Sequence, residues 1–437
     1  MQSKNGLIRA LSLGALITYG VGDILGAGVY ALIGKIAGHA GPLAWLSFTI
    51  AMSVVFLTAL SYSELCSRFP KSGGVSIFIQ EAFGQEWLSI LVGFLLFSAT
   101  ILSMSTLSQA FIGYLRALGF MMPNWLGIAG FLSILLLINV RGIKQSSITN
   151  IISTAVEVSG LLMVLAFGCL YLLKTNNQPI VTPPESMPGV GDVLHGAALA
   201  FFAFIGFEDL ANVAEEVKKP EKNLPRGILY SLGIAGLLYL GVSWVSTAIV
   251  PMSELNQSNS PLLEVVSKSY PEMPISLFSV IAIFAVSNST LVNYITASRL
   301  LYGMSKVNLL PKFLQTIHRG YHTPYVAILL IFPLVLGLAS FGSLKGLAGS
   351  TSAVILTVFS FSSVALIKVK LKERNRKTSA QLFRVPMLVP WLAVILNITA
   401  IGFLPFYSII LAAVFIAVGL MIIAFFRMTI RRGEGYS

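Results

Sequence analysis

The chain has 437 residues, of which 56% are hydrophobic and only 11% charged, with a mean hydropathy of +0.84. A soluble domain carries roughly 25% charged residues, so this chain cannot cover a water-facing surface, and an all-α polytopic membrane protein of about twelve spans of roughly 20 residues is expected. A formal charge of +12 would point to nucleic acid in a soluble protein, but in a membrane protein Lys and Arg gather in cytoplasmic loops.

Taken in order, the apolar runs predict spans over 12–36, 41–67, 86–118, 123–140, 146–173 and 193–217, then 224–250, 273–304, 324–341, 346–368, 386–404 and 406–427. The opening "MQSKNGLIRA" has no cleavage pattern, so the first span is expected to serve as its own uncleaved insertion signal. The third and eighth runs are long, which predicts tilt or extension beyond the bilayer. The sixth is short and interrupted. With the N-terminus inside, 24 of the 29 Lys and Arg fall on the inner side, which supports both termini in the cytoplasm of a multi-pass cell-membrane protein and disposes of a nucleic-acid partner.

The division that follows is a cytoplasmic N-terminus (1–11), helices one to five (12–173), an outer loop (174–192) and helices six to ten (193–371). A cytoplasmic loop (372–385), two further helices (386–428) and a cytoplasmic tail (429–437) complete it. No soluble domain is expected. The inner loop Pro70 to Gly84 is amphipathic and predicted to lie at the interface, and "PLLEVVSKSY" predicts a short surface helix on the outer face.

The first span contains "GDILGAGVYALIGKIAG", Gly22 to Gly38. Small residues spaced four apart, such as Gly22 and Gly26 or Gly34 and Gly38, let helices approach closely. The cluster Gly26, Ala27 and Gly28 at mid-membrane has a second reading, a helix break. A break leaves free C=O groups on one side and free N–H groups on the other. Lipid cannot satisfy these groups, so they persist only around a cavity, where the two ends attract cations and anions respectively. An amino acid carries both charges. A matching break is expected in an inverted repeat, and the sixth span supplies one at Gly206, followed by Phe207, Glu208 and Asp209. Two breaks in corresponding spans point to a transporter.

Four acidic residues fall at bilayer depth: Asp23, Glu157, Glu208 and Asp209. Each costs about 2.5–3.5 kcal/mol on insertion scales, and no Lys or Arg lies at comparable depth to pair them. A carboxyl that gains and loses a proton there is a coupling candidate, and Glu157, far from either span end, is the foremost. Asp23 and Glu208 have a simpler reading as partners for loose backbone, and Asp209 one as a solvated residue of the inner vestibule. Glu64, near an inner span end, is expected to reach the interface. Phe202 and Phe207 flank the second break and are candidates for a gate, against the ordinary reading of packing residues. The run "FAVSNSTLVNY" places Ser287, Asn288, Ser289, Thr290 and Asn293 together, either as helix–helix glue or as pocket lining. Cys66 and Cys169 read as buried structural thiols, and the four His residues lie near span ends or loops without metal-ligand spacing. No catalytic constellation, cofactor or metal is expected.

Four stretches, in order, are similar to the motifs of the amino acid–polyamine–organocation transporters: "GDILGAGVYALIG", "FPKSGGVSIFIQEAFG", "FFAFIGFEDLANVAEEVKKPEKNLPRGI" and "ASRLLYGMSKVNLLPKFL". The resemblance covers nearly the whole chain. It implies the LeuT fold: two inverted five-helix repeats with helices 1 and 6 broken, plus two extra helices. It further implies that N–H groups near Gly26, Ala27 and Gly28 hold a substrate carboxylate. The carbonyls of Ile24, Phe202, Ala203 and Ile205 would hold its amino group, with Phe202 near an outer gate and Glu208 in a gating position. Glu157 stands where many prokaryotic relatives carry a Lys, and Ser76 where relatives often have Tyr.

The function expected from these readings is secondary active transport of an amino acid by alternating access, coupled to a proton through Glu157, with sodium as the other candidate ion. Exchange without an ion, and amino acid sensing without flux, are the alternatives. Phe-rich walls favour a neutral or apolar side chain; a cationic substrate is the alternative if Glu208 or Asp209 faces the pocket.

Overall fold

The computed structural model describes residues 9, 11–25, 28–71, 74–141, 146–175, 187–306, 310–321, 323–373 and 382–433. Gly26 and Ala27 lie outside the described residues. Among the described residues the chain is helical, apart from turns and one isolated parallel bridge between Leu11 and Val217. A helix satisfies every backbone group within its own segment, which is what an apolar surrounding demands.

The first half contains α1 (Leu13–Leu25), α2 (Gly28–Ala40), α3 (Ala44–Arg68), α4 (Gly74–Phe83), α5 (Glu86–Ala117), α6 (Asn124–Arg141) and α7 (Ser146–Lys174). Then come α8 (Val190–Ala200), three 3₁₀ turns at Phe201–Phe204, Phe207–Ala211 and Ala214–Glu216, and α9 (Pro220–Ile249). Two short helices, α10 (Met252–Gln257) and α11 (Pro261–Ser269), precede α12 (Ile275–Lys306), α13 (Tyr325–Phe341), α14 (Leu344–Glu373), α15 (Leu388–Gly402) and α16 (Phe406–Gly433). Nine segments of the described residues are long and apolar enough to cross a membrane.

Every predicted span falls on helical chain, and the sixth is divided. The first is described as α1 and α2, each of 13 residues, on either side of Gly26 and Ala27. The sixth runs as α8 for 11 residues and then as 3₁₀ turns. By contrast α5 and α12 have 32 residues each, as their long apolar runs predict. Glu86 in the first turn of α5 and Arg116 in its last complement the helix dipole. Four hydroxyls of α5 are satisfied by their own helix: Thr100, Ser105, Thr106 and Ser108 each donate to the carbonyl four residues back, at 2.7–2.9 Å.

The divided elements occupy the centre of the molecule. α1 packs on α7 and α9, α2 on α8 and α10, and α3 on both α8 and α9, while α5 pairs with α12 and α14. The largest fully buried side chains surround the interruptions. Phe204 meets Tyr239 and Phe48 at ring-centroid distances of 5.3 and 6.3 Å, and Phe207 meets Phe359 and Tyr62 at 5.0 and 5.8 Å.

The amphipathic inner loop forms α4, with Val75, Phe78, Ile79 and Ala82 buried against α5 and α14 and Gln80 and Glu81 exposed. The predicted short surface helix is α11, whose apolar face, Leu262, Leu263, Val265 and Val266, is buried. Two expectations are corrected here. Glu64 does not reach an interface. It is fully buried, and its carboxylate accepts from Arg68 Nη2 at 2.5 Å, Lys370 Nζ at 2.8 Å and the Val385 N–H at 2.8 Å. Cys66 is buried as expected, but Cys169 is exposed on the outer face of α7, because that helix presents a broad apolar face away from the bundle.

Candidate functional site

The first span meets the interruption of the sixth backbone to backbone. A Cβ at Gly28 would overlap the Cα of Ala203, and one at Gly206 would lie 2.9 Å from both C and O of Asp23. Gly206 also has φ +128°, a conformation open to Gly and unfavourable to residues with a Cβ. The glycines therefore serve a close approach between the two segments, and at Gly206 also a backbone turn that only this residue makes without strain.

The freed backbone groups are partly answered within the protein. Tyr239 donates its hydroxyl to the Ile24 carbonyl at 2.6 Å, the Ile205 N–H donates to the Phe202 carbonyl at 3.3 Å, and the Gly206 N–H donates to Glu208 Oε2 at 2.9 Å. Each carbonyl oxygen has two lone pairs, so Ile24 and Phe202 retain capacity to accept a further donor.

A cavity opens beside this junction. Asp23, Ile24 and Gly28 line it from the first span, and Phe202, Ala203, Ile205, Gly206, Glu208 and Asp209 from the sixth. The opposite wall is Leu96, Ala99, Thr100, Ser103 and Leu107 of α5, Ser289 and Asn293 of α12, and Ile355 of α14. Asn293 Nδ2 donates to Ser103 Oγ at 3.1 Å, tying α12 to α5 across that wall. Asp209 Oδ1 accepts from Asn212 Nδ2 at 3.0 Å. Asp209 is only 8% exposed, so it stands in the cavity wall rather than solvated in a vestibule.

Seven of the sequence candidates thus come together here: Asp23, Ile24, Gly28, Phe202, Ala203, Ile205 and Glu208. Gly26 and Ala27 fall outside the described residues. Phe207 is fully buried against Tyr62 and Phe359 and is not among the residues of the wall. Ser287 and Asn288 are half-buried and lie off the cavity; the lining polar residues of α12 are Ser289 and Asn293, four residues apart and so on one helix face.

Glu157 is fully buried on α7, outside the cavity wall. Its Oε1 accepts from Asn288 Nδ2 at 3.0 Å, and its Oε2 is buried without a partner. Its backbone carbonyl accepts from the Tyr30 hydroxyl at 2.8 Å, and the Tyr30 carbonyl in turn accepts from Tyr114 at 2.8 Å. Side chains and backbone therefore link α7 to α12, α2 and α5 around this one carboxyl. No group of three or more His, Cys, Asp or Glu able to hold a metal occurs among the described residues.

The lining residues that sequence reasoning missed are the apolar Leu96, Ala99, Leu107 and Ile355 and the polar Thr100 and Ser103. The signal for the last two was the polar series Ser98, Thr100, Ser103, Ser105, Thr106 and Ser108 in an otherwise apolar third span. Periodicity alone does not say which of its faces meets an opening.

A family model described as amino acid permease matches residues 11–429. The chain is 30% identical to the branched-chain amino acid permease BcaP of Bacillus subtilis over 96% of this chain and 93% of that one. It is 30% identical to the methylthioribose transporter of the same organism, over 96% and 94% respectively. It is 33% identical to the chloroplastic cationic amino acid transporter 9 of Arabidopsis thaliana, over 72% of this chain and 58% of that one. With an interrupted sixth span meeting the first at a buried cavity and a family match along almost its whole length, this chain belongs to the amino acid permeases of the amino acid–polyamine–organocation superfamily.

Proposed function

We propose that the protein is a secondary active transporter of amino acids that works by alternating access, driven by a proton carried on Glu157. The observation that carries the reading is the junction of the first span with the interrupted sixth at one cavity, with buried carboxyls on its wall. Carbonyls at the end of a half-helix attract an amino group, and N–H groups at the start of the next attract a carboxylate. On this reading helices one to five and six to ten form the two inverted halves of a LeuT fold, helices one and six are the broken pair, and the last two helices stand outside the repeat. The twelve spans leave both termini in the cytoplasm, with the divisions given above.

Glu157 suits a coupling role because one carboxyl oxygen is engaged by Asn288 while the other has no partner. A buried carboxylate oxygen without a donor is costly, and a proton removes that cost. A charge crossing 100 mV is worth about 2.3 kcal/mol, enough to drive accumulation before any pH gradient is counted. Sodium is the other candidate ion. Exchange of one amino acid or amine for another is the second reading, and the names of the relatives span branched-chain and cationic amino acids and methylthioribose. The Phe-rich sixth span lends less support to a neutral or apolar side chain than its sequence suggests, since of Phe201, Phe202, Phe204 and Phe207 only Phe202 lines the cavity.

The test is uptake of a panel of labelled amino acids into proteoliposomes, with and without an inward proton gradient, in sodium-free buffer. Wild-type uptake is expected to rise with the gradient and Glu157→Gln to lose that dependence. Uptake only against an internal counter-substrate would establish exchange instead. No flux from protein shown to be folded would leave sensing as the surviving reading.

A further inference from the structure

Two imidazoles far apart in the sequence come together at one end of the bundle. His39 is in the last turn of α2 and His195 in the second turn of α8, and their ring centroids lie 6.1 Å apart. The two helices pack together, and a Cβ at Gly196, next to His195, would lie 3.2 Å from the Cβ of Ala40, next to His39. The backbones are thus close at the level of the rings. His195 is exposed and His39 half-buried. In the proposed orientation both stand at the outer ends of the first and sixth spans.

Hydrogen bonding fixes which nitrogen of His195 is available. Its Nδ1 meets the backbone carbonyl of Phe403, at the end of α15. A carbonyl only accepts, so Nδ1 carries the proton, and in the neutral ring Nε2 holds the lone pair. Metal-ligating imidazoles take this arrangement, one nitrogen anchored through its N–H and the other open. The Phe403 ring also packs edge-on against the imidazole, with centroids 5.6 Å apart. Zinc binds imidazole nitrogen at about 2.0–2.1 Å, so one ion shared by two imidazoles leaves their centroids roughly 5–6 Å apart. The observed pair stands at the upper edge of that range.

The charges around the pair are mixed. Asp192, three residues before His195 and on the same side of α8, acts on His39 and favours a cation; its Oδ2 accepts from the Gly189 N–H at 2.9 Å. Lys345 of α14 also acts on His39 and opposes a cation. A neighbouring ammonium equally disfavours a proton on His39, which leaves the ring in the neutral form that binds metal. Lys35, one turn before His39, is turned to α10, where its Nζ donates to the Asn256 carbonyl.

We propose that His39 and His195 form a site for one divalent transition-metal ion of the zinc type, with water completing its coordination. Imidazole ligands suit zinc, copper and nickel rather than calcium or magnesium. The sequence gives these histidines no metal-ligand spacing, because the two ligands come from different spans that only the fold sets side by side.

The test is calorimetric titration of the full-length protein, free of any histidine tag and held in detergent, with zinc chloride. One zinc per chain is expected, and none from calcium chloride. His39→Ala and His195→Ala are each expected to weaken binding by about tenfold or more, and His318→Ala, in the segment before α13, to leave it unchanged. Absence of zinc binding overturns the proposal. So does binding that either His39→Ala or His195→Ala leaves intact, since an ion held by one imidazole, or elsewhere, is not this site. Should a variant fail to fold, the wild-type protein decides. Zinc is expected to shield both rings from carbethoxylation by diethyl pyrocarbonate, read by mass spectrometry of the peptides, and labelling of either ring unchanged by zinc overturns the proposal. Neither readout uses flux, so the outcome is independent of the transporter reading.

Discussion

Gly206 carries two demands at once, a positive φ and contact with the backbone of Asp23. A Cβ there has to be accommodated in a sparsely populated conformation costing about 1–3 kcal/mol, before any displacement of the neighbouring segment. Gly206→Ala is therefore expected to lower the apparent Tm in detergent and abolish uptake. Gly303→Ala on α12 is the control, since nothing lies within 4 Å of its added methyl; it is expected to leave Tm unchanged or raise it, by the ~0.5–1 kcal/mol that Ala gains over Gly in a helix. If both substitutions lower Tm equally, the close approach has been misread. Tyr239→Phe tests the other side of the junction. It removes the donor to the Ile24 carbonyl and should cost about 0.5–1.5 kcal/mol of stability, with any change in KM reporting how the freed carbonyl meets a substrate.

At the scale of elements, a buried charge cluster fastens the ends of two helices. Glu64 of α3 is fully buried and pairs with Arg68 and with Lys370 of α14; Arg68 also reaches Glu373. Lys370 Nζ also donates to the Val385 carbonyl at 2.5 Å, and Lys372 Nζ to the Ala82 carbonyl of α4 at 2.7 Å. Removing one partner of a buried pair typically costs about 3–5 kcal/mol, because the remaining charges lose their compensation. Glu64→Ala should therefore lower thermal stability far more than Glu81→Ala, whose partner Lys71 is 60% exposed. Equal shifts would deny the cluster that weight. The sequence made the interruption of the sixth span legible, because Gly and acidic residues inside an apolar run contradict an unbroken helix. It did not make the opposite wall legible. Thr100, Ser103, Ser289 and Asn293 look like any polar residues gluing helices, and only the packing of α5 against α12 decides which of their faces meets the cavity. Glu64 was misread for the same reason: nothing in its neighbourhood announces that Lys370, some three hundred residues later, arrives beside it.

For the whole molecule, the distribution of Lys and Arg predicts both termini on the cytoplasmic side. A fluorescent protein fused to the C-terminus should fluoresce, and alkaline phosphatase fused at the same place should be inactive; the reverse pattern would overturn the proposed orientation.

The smallest contact described above bears on how such a molecule moves. Leu11, just ahead of α1, receives the N–H of Lys218 on its carbonyl and gives its own N–H to the carbonyl of Glu216, both at 2.9 Å. This is a yoke. The segments leading into the first span and out of the sixth are harnessed by main-chain bonds, which no change of side chain short of proline removes. A tilt imposed on either is expected to be handed to its partner, so the two would travel as one oar rather than two.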